Sequence, residues 1–411
     1  MTNVLGIIGE YNPFHNGHKY HLEQSKKLAK ADYTVAIISG NFVQRGNVSL
    51  IDKWAKTDMA ISNGIDLVLE LPTIYSVSSA ENFAHGAVTI LDSLDIIDYL
   101  SFGSELCDIN VLNMCADVLT EQPIAFTNLL KHELAKGISF PKARENALLM
   151  YLNDVRKYAG ALSSPNNILA IEYLKSLKRI RSIIKPISIK RIGSNYNDTE
   201  IDVSGKFASA TAIRQKLIDD KPQGLSKLMP SSSYRILYNT ILKGHYVKDL
   251  VVFEKEILYA LRKMTISEIA NLPDVTEGLE HNIKNAANSC NTLSEFLNII
   301  QTKRYTNTRI QRILLYALLG ITKNDMKISQ KIKPYARVLG FNSKGRDLLS
   351  TIASNKNIDI VTSVKKYIDS INNKNLLHML NTDINATNIY TLGYAKDSWA
   401  NLDYTHNMII Y

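Results

Sequence analysis

The sequence has only three cysteines, Cys107, Cys115 and Cys290, in 411 residues. This odd number, without metal-ligand spacing, argues against a disulfide framework and predicts free thiols in a reducing compartment. Long apolar runs are also missing, because no stretch approaches the roughly 20 residues that a transmembrane helix needs. The first residues lack the basic, apolar and small-residue order of a signal peptide. Together these absences predict a cytoplasmic protein with no membrane partner.

Acidic residues are scarce beyond the first quarter of the chain. Residues 1–100 hold 7 Lys and Arg against 11 Asp and Glu, and the rest holds 41 against 28. Residues 301–350 alone hold 11 basic and 2 acidic residues. A basic surface of this kind suits a polyanion, and it predicts a nucleic-acid partner. A merely solvated basic face is the alternative.

Short apolar runs alternate with helical patterns in the first half of the chain. The sequence predicts strands over residues 4–8, 34–39, 67–70, 99–103 and 183–191, with helices between them. This alternation predicts an α/β fold, a Rossmann-like doubly wound parallel sheet. Beyond residue 222 helical spacing dominates. We therefore predict two domains, residues 1–221 and a mostly α-helical, basic domain over residues 222–411.

The most informative segment follows the first predicted strand and reads GEYNPFHNGH over residues 9–18. His15 and His18 lie at the mouth of the first predicted helix, where unpaired N–H groups and the helix dipole favour a phosphate. Gly17 allows the phosphate to approach the backbone. Both histidines could donate hydrogen bonds to phosphate oxygens as charge develops. The alternative is an ordinary polar turn.

A second segment, KFASATAIR over residues 206–214, has the small hydroxyl residues of a helix start. Ser209 and Thr211 precede Arg214, whose guanidinium can bind a phosphate in bidentate fashion. An ordinary capped helix is the alternative.

Three further segments carry candidate contacts. In SSPNNIL, residues 163–169, Asn166 and Asn167 could present amides to adenine or ribose, and Arg191 could stack on the base or pair with a phosphate. In the segment after the second strand, Lys53 or Lys56 could neutralise phosphate, with an exposed helix face as the alternative. The segment KRYTNTRIQR interleaves an aromatic with basic residues, as RNA loops require. Its candidate RNA contacts are Lys303, Arg304, Tyr305, Arg309 and Arg312.

The HNGH segment resembles the HxGH signature of the nucleotidylyltransferase superfamily. SATAIR resembles its second signature, ISSTxIR, although the opening Ile is absent. With SGNFVQRG over residues 39–46, FGSE over 102–105, SPNNIL and KRYT, the chain resembles the bacterial tRNA(Met) cytidine acetate ligases over nearly its whole length.

The resemblance implies an enzyme that activates acetate with ATP as acetyl-AMP and acetylates N4 of the wobble cytidine of elongator tRNA(Met). It implies His15, His18 and Arg214 as catalytic residues, Mg²⁺ accompanying ATP and no protein-bound metal site. It places ATP and acetate in the first domain and tRNA on the second. The residues that it assigns to the nucleotide are Ile7, Gly9, Glu10, Phe14, Gly17, Tyr20, Gly103, Asn166 and Arg191, and the helix start of the second segment adds Ser209 and Thr211.

Two other functions are compatible with parts of the sequence. One is a nucleotidylyltransferase that makes a dinucleotide cofactor from ATP and a phosphorylated small molecule. The basic helical half counts against it, because a small substrate needs no such surface. The other is a non-catalytic RNA-binding protein on the same fold, against which the intact His15 and His18 argue.

Overall fold

The computed structural model describes residues 2–192, 206–218, 224–276, 278–300 and 305–411. Its strands are β1 (Val4–Gly9), β2 (Tyr33–Ser39), β3 (Phe42–Val43), β4 (Asn47–Val48), β5 (Leu67–Leu71), β6 (Tyr99–Ser104), β7 (Lys185–Lys190), β8 (Ala336–Phe341), β9 (Ile360–Val361) and β10 (Ile409–Ile410). The five strands predicted from the sequence are confirmed as β1, β2, β5, β6 and β7.

Helices supply the rest of the regular structure. Those of the first half are α1 (Asn16–Ala29), α2 (Lys53–Ser62), α3 (Thr73–Ser76), α4 (Ala80–Ser93), α5 (Ile109–Glu121), α6 (Ile124–Ala135), α7 (Phe140–Leu152), α8 (Val155–Tyr158), α9 (Pro165–Arg179) and α10 (Ala210–Ile218). Those of the second half are α11 (Leu225–Leu228), α12 (Ser231–Leu242), α13 (Glu254–Lys263), α14 (Ile266–Ala270), α15 (Leu279–Ser289), α16 (Leu293–Ile300), α17 (Asn307–Leu319), α18 (Lys323–Ser329), α19 (Ser343–Asn355), α20 (Val364–Ser370), α21 (Lys374–Leu392) and α22 (Leu402–Thr405).

The main sheet has the strand order β10-β8-β5-β2-β1-β6-β7, and β9 also pairs with β8. Strands β5, β2, β1, β6 and β7 are parallel, as the βαβ pattern predicts, whereas β8 pairs with β5 in the antiparallel direction. Strand order reverses at β1, since β2 lies on one side of it and β6 on the other. In open α/β sheets a ligand crevice forms at this switch point, beyond the carboxyl ends of the strands.

Both faces of the sheet are covered, which explains the unbroken apolar runs in its strands. Along β2, Val35 and Ile37 pack into one hydrophobic cluster, and Ala36 and Ile38 pack into the other. This alternation follows from the period of two residues in a strand. The sheet therefore forms a rigid platform for the loops at its carboxyl edge.

The sheet draws strands from both halves of the chain. Strands β8 and β10 follow residue 221, and β8 lies directly beside β5. The sequence predicts a mostly helical domain over residues 222–411, and helices do predominate there. The division of the chain at residue 221 stays a prediction, since the sheet itself continues across it.

A buried ionic cluster joins α2, β5, β8 and α22. Lys53 Nζ lies 2.9 Å from Glu70 Oε1 and 2.7 Å from Asp403 Oδ1. Arg337 completes the cluster, at 3.2 Å from Glu70 Oε2 and 2.6 Å from Asp403 Oδ1. Nearby, Lys56 Nζ donates to the carbonyl oxygens of Ser39 and Gly40. The prediction that Lys53 or Lys56 binds phosphate is wrong. Both side chains are fully buried, and the Nζ atom of each already contacts oxygen atoms of the protein.

All three cysteines are free, as predicted. Among the described residues, no helix combines the length and the apolar character needed to cross a lipid bilayer.

Candidate functional site

The site is built around the turn from β1 into α1, which forms the first wall of the site. His15 is the N-cap of α1, and its Nδ1 accepts a hydrogen bond of 3.0 Å from the Gly17 N–H. The His15 N–H in turn donates to His18 Nδ1 at 3.2 Å, so the two residues cap each other reciprocally. Because each Nδ1 accepts a backbone hydrogen bond, the proton of each neutral ring lies on Nε2. Two imidazole Nε2–H donors therefore remain available at the start of a helix.

Both rings are neutral near pH 7. Their centroids lie 3.8 Å apart in a stacked arrangement. Burial, followed by the positive charges of Arg191 and Arg214, lowers the pKa of His15 to about 3. Burial also holds the pKa of His18 well below its usual value, and His15 and Arg191 add to this effect. Neutral imidazoles of this kind keep an Nε2–H that can donate a hydrogen bond to a developing phosphate charge.

His21 extends this arrangement by one helical turn, and the sequence analysis missed it. Its Nε2 lies 3.2 Å from Ser101 Oγ, and Ser101 Oγ lies 2.7 Å from Ser25 Oγ. Burial and the charge of Arg191 lower the pKa of His21 to about 4. His21 follows His18 by three residues, and residues i and i+3 share a helix face, so this spacing could have identified His21 as a site residue.

The buried histidines predict a loss of stability in mild acid. The pKa values of His15, His18 and His21 are lower in the folded protein than the ordinary value of about 6.5. Below pH 6.5 the unfolded chain therefore binds more protons, and stability falls as the pH decreases toward the folded pKa values. Each histidine contributes up to about 1.4 kcal/mol per pH unit.

We expect the melting temperature to drop progressively from pH 7 to pH 5. The His18→Gln variant removes one titrating ring and keeps an oxygen that can accept the His15 N–H. Its melting temperature is expected to depend less steeply on pH than that of the unchanged protein. Equal slopes in calorimetric scans of the two proteins would contradict this account.

Gly17 leaves no room for a side chain. A Cβ at this position would lie 2.8 Å from His15 Cε1 and 3.0 Å from His15 Nδ1. We expect Gly17→Ala to displace the His15 ring and to weaken ATP binding at least about tenfold, the equivalent of roughly 1.4 kcal/mol. Equilibrium titration with ATP measures the effect, and Glu23→Ala on the exposed side of α1 is the matched control. Unchanged affinity in Gly17→Ala would show that the His15 ring does not contact the nucleotide.

The start of α10 forms a second wall. Ser209 Oγ accepts a hydrogen bond from the Ala212 N–H at 3.0 Å. Arg214 Nη1 donates to the Asn12 carbonyl oxygen at 2.8 Å, and its Nη2 donates to Thr211 Oγ1 at 3.2 Å. These contacts bring Arg214, which lies 202 residues from Asn12 in the sequence, against the turn that carries the two histidines.

A third wall lies beyond β6 and β7. Glu105 Oε1 accepts a hydrogen bond of 2.6 Å from Asn166 Nδ2, and Arg191 Nη1 lies 3.4 Å from Asn166 Oδ1. A Cβ at Gly103 would lie 3.3 Å from Arg191 Cγ, so the glycine allows Arg191 to lie close to the strand end. Asn167 is fully buried, and its Oδ1 accepts the Glu105 N–H. Of the two asparagines predicted to meet a nucleotide, Asn166 alone faces the cavity.

These walls enclose one cavity of about 720 Å³. Phe14 is the exception among the proposed catalytic and nucleotide residues, because it is fully buried and packs against Tyr11 and His18. Phe14 therefore packs behind the His18 ring and does not line the cavity. The predicted residues that line the cavity are Ile7, Gly9, Glu10, His15, Gly17, His18, Tyr20, Gly103, Asn166, Arg191, Ser209, Thr211 and Arg214.

The second half of the chain also reaches this cavity. Thr306, Thr308 and Arg312, at the beginning of α17, line it together with Gln44 and Arg45 from the β3–β4 hairpin. The hairpin and α17 are in direct contact, since a Cβ at Gly46 would lie 2.4 Å from the Arg312 backbone nitrogen. The start of α17 is thus part of the site.

Of the five candidate RNA residues, the structure describes Tyr305, Arg309 and Arg312, and both arginines contact Asp274. Arg309 lies over the Tyr305 ring, 4.9 Å from its centroid, and donates to the Asp274 carbonyl oxygen. Arg312 Nε donates to Asp274 Oδ2 at 2.9 Å. Lys303 and Arg304 lie outside the described residues.

Within the described ranges, no group of three or more His, Cys, Asp and Glu side chains is placed to hold a metal ion.

The chain is similar to known proteins and to solved structures over its whole length. The HIGH Nucleotidyl Transferase family matches residues 2–403. The tRNA(Met) cytidine acetate ligase of Thermoanaerobacter sp. (strain X514) is 46% identical over 406 residues, 99% of each chain. The crystal structure of apo Thermotoga maritima TmcAL superimposes with a TM-score of 0.94 at 35% identity, covering 100% of this chain and 99% of that one. The crystal structure of the same protein bound with alpha-thio ATP superimposes with a TM-score of 0.92 at 34% identity, again covering 100% of this chain and 99% of that one.

Proposed function

The chain belongs to the HIGH nucleotidyl transferases and, among them, to the tRNA(Met) cytidine acetate ligases, and from this membership we propose its reaction in detail. It activates acetate with ATP and transfers the acetyl group to N4 of the wobble cytidine of elongator tRNA(Met). The observation that carries the proposal is the pair of neutral Nε2–H donors of His15 and His18 at the start of α1, beside Arg214.

In the first step an acetate oxygen attacks the α-phosphorus of ATP. The bond to the bridging oxygen of the β-phosphate breaks, acetyl-AMP forms and pyrophosphate leaves. Negative charge grows on the phosphate oxygens during this displacement. His15, His18 and Arg214 donate to those oxygens, and the dipole of α1 favours the same charge.

The adenosine end of ATP fits the third wall. Asn166 offers an amide that Glu105 holds in place, and Arg191 offers a planar cation that can stack on the base. Ser209 and Thr211 stand at the start of α10, where a second helix end favours phosphate. The assignment of ATP to Ile7, Gly9, Tyr20 and Gly103 rests on their position around the same cavity.

In the second step the cytidine N4 amine attacks the acetyl carbonyl and AMP leaves. The exocyclic amine is a weak nucleophile, which accounts for the need for an activated acyl group. The wobble base must leave its loop to reach the cavity. We propose that the basic second half, residues 222–411, holds the tRNA, with Tyr305, Arg309 and Arg312 near the site and Lys303 and Arg304 in the adjoining segment.

Mg²⁺ is proposed to enter with ATP, bound to its phosphate oxygens, since this hard cation retains water and prefers phosphate ligands. The substrates ATP and tRNA assign the reaction to the cytoplasm, which is also part of the proposal.

Exchange of labelled pyrophosphate into ATP tests the first step. We expect exchange that depends on added acetate and needs no tRNA. Exchange that instead requires a phosphorylated small molecule would support a dinucleotide-forming enzyme. Absence of exchange under all of these conditions would contradict the proposed activation step.

A further inference from the structure

We propose that Glu10 is the general base of the acetyl transfer, taking the proton from the cytosine N4 amine in a subsite on the β2 side of β1. This inference rests on the proposed function and adds a residue and a location to its second step. Glutamate carboxylates are natural partners for this group, because the N4 amine of cytosine is a hydrogen-bond donor.

The topology of the sheet divides the cavity into two sides. Strand β1 stands between β6 and β2. The proposed adenosine contacts, Gly103 and Arg191, follow β6 and β7 on one side. Gln44 and Arg45 follow β2 on the other side, and the start of α17 packs against them. The β2 side is therefore left for the acceptor.

Glu10 directly follows β1, and its carboxylate reaches toward the β2 side. Its Oε1 accepts a hydrogen bond of 2.8 Å from the Gln44 N–H. The Gln44 side chain is itself fixed, because Nε2 donates to the Ser78 carbonyl oxygen at 2.9 Å. Within the described part of the chain, Glu10 Oε2 makes no hydrogen bond or ion pair, so one oxygen positions the carboxylate and the other can accept a proton.

The surroundings of Glu10 suit a nucleobase. Phe83, Leu162 and Tyr173 are buried side chains that line the cavity, and Tyr173 also packs against Phe102 of β6, so the apolar surface extends from the middle of the cavity to the β6 side. Burial raises the pKa of Tyr173, and the charge of Glu10 adds to this effect, which indicates that the two groups are close. Arg45 and Arg312 line the β2 side of the cavity, where the phosphates flanking the base would lie.

Glu10 acts while the acetyl group passes from AMP to the amine. The N4 nitrogen forms a bond to the acetyl carbonyl carbon, and the bond from that carbon to the phosphate oxygen of AMP breaks. AMP leaves with the bonding electron pair. One amine proton moves to Glu10 Oε2 and then to solvent. A general base of this kind contributes about 10²–10⁴-fold to the rate.

Competition between two acceptors tests the proposal. Hydroxylamine attacks acetyl-AMP without a base and gives acetohydroxamate, whereas the cytidine amine requires the carboxylate. The measurement is the ratio of N4-acetylcytidine to acetohydroxamate formed from ATP, acetate, tRNA(Met) and hydroxylamine. In Glu10→Gln, which keeps an oxygen for the Gln44 N–H, we expect the ratio to fall about 10²-fold or more. Glu23→Gln, an exposed carboxylate on α1, is the control.

Each outcome decides the question. An unchanged ratio in Glu10→Gln would overturn the assignment. A parallel fall of both products would do the same, because it would assign Glu10 to adenylation or to folding. Failure of the unchanged protein to form acetohydroxamate from acetate and ATP would instead contradict the proposed function itself.

Discussion

Replacing His18 by alanine is expected to reduce acetate-dependent exchange of pyrophosphate into ATP by about 10²–10³-fold or more, while tRNA binding persists. The variant loses the Nε2–H donor toward the phosphates, and removal of one such donor costs this much in other enzymes. It also loses the acceptor for the His15 backbone N–H, whereas the His15 ring keeps its hydrogen bond from the Gly17 N–H. The measurement is the exchange rate at saturating ATP and acetate.

Two comparisons separate the chemical role of His18 from its capping role. His18→Gln keeps an oxygen that can accept the His15 N–H, yet it lacks the imidazole donor. It is expected to be nearly as slow as His18→Ala. His281→Ala, at an exposed position on α15, should exchange pyrophosphate at the ordinary rate. Full exchange activity in either His18 variant would remove this residue from the catalytic group.

Lys53→Met is expected to lower the free energy of unfolding by about 3–5 kcal/mol. The substitution removes the cation between Glu70 and Asp403 and leaves two buried carboxylates with Arg337 as their remaining ionic partner in the cluster. An uncompensated buried charge carries a penalty of this size. Because Asp403 lies on α22 and Glu70 on β5, the cluster links the end of the chain to the central sheet. Denaturation with urea measures the change.

Lys365→Met is the matched control for this effect. Lys365 is exposed on α20, and surface substitutions of this kind usually change stability by less than about 0.5 kcal/mol. A loss below about 1 kcal/mol in Lys53→Met would contradict the view that the cluster is desolvated and mutually dependent.

The parallel core of the fold could be predicted from the sequence because its signals are local. The apolar runs of β1, β2, β5, β6 and β7 are buried on both faces, and each is followed by a turn or helix signal. The HNGH segment was predicted at the mouth of α1, and the structure has it there. The tRNA(Met) cytidine acetate ligase family, inferred from these segments, is confirmed by the comparisons.

The remaining features depend on long-range contacts that no local pattern reports. Strand β8 joins the sheet beside β5, although 264 residues separate Leu71 from Ala336 in the chain. Lys53 carries the sequence signal of a surface lysine, and only its partners on β5, β8 and α22 explain its burial. Tyr173 lies about two helical turns after Asn166 on α9, a spacing that could have marked it as a cavity residue. The nucleotide and RNA contacts named from the sequence stay proposals.

Mass spectrometry of nucleosides tests the central claim most directly. The protein is incubated with ATP, Mg²⁺, isotopically labelled acetate and bulk tRNA, and the tRNA is then digested to nucleosides. The account predicts labelled N4-acetylcytidine, confined to elongator tRNA(Met) and absent when ATP is omitted. Pyrophosphate release without label in any tRNA would contradict it, because ATP activation would then serve a different acceptor.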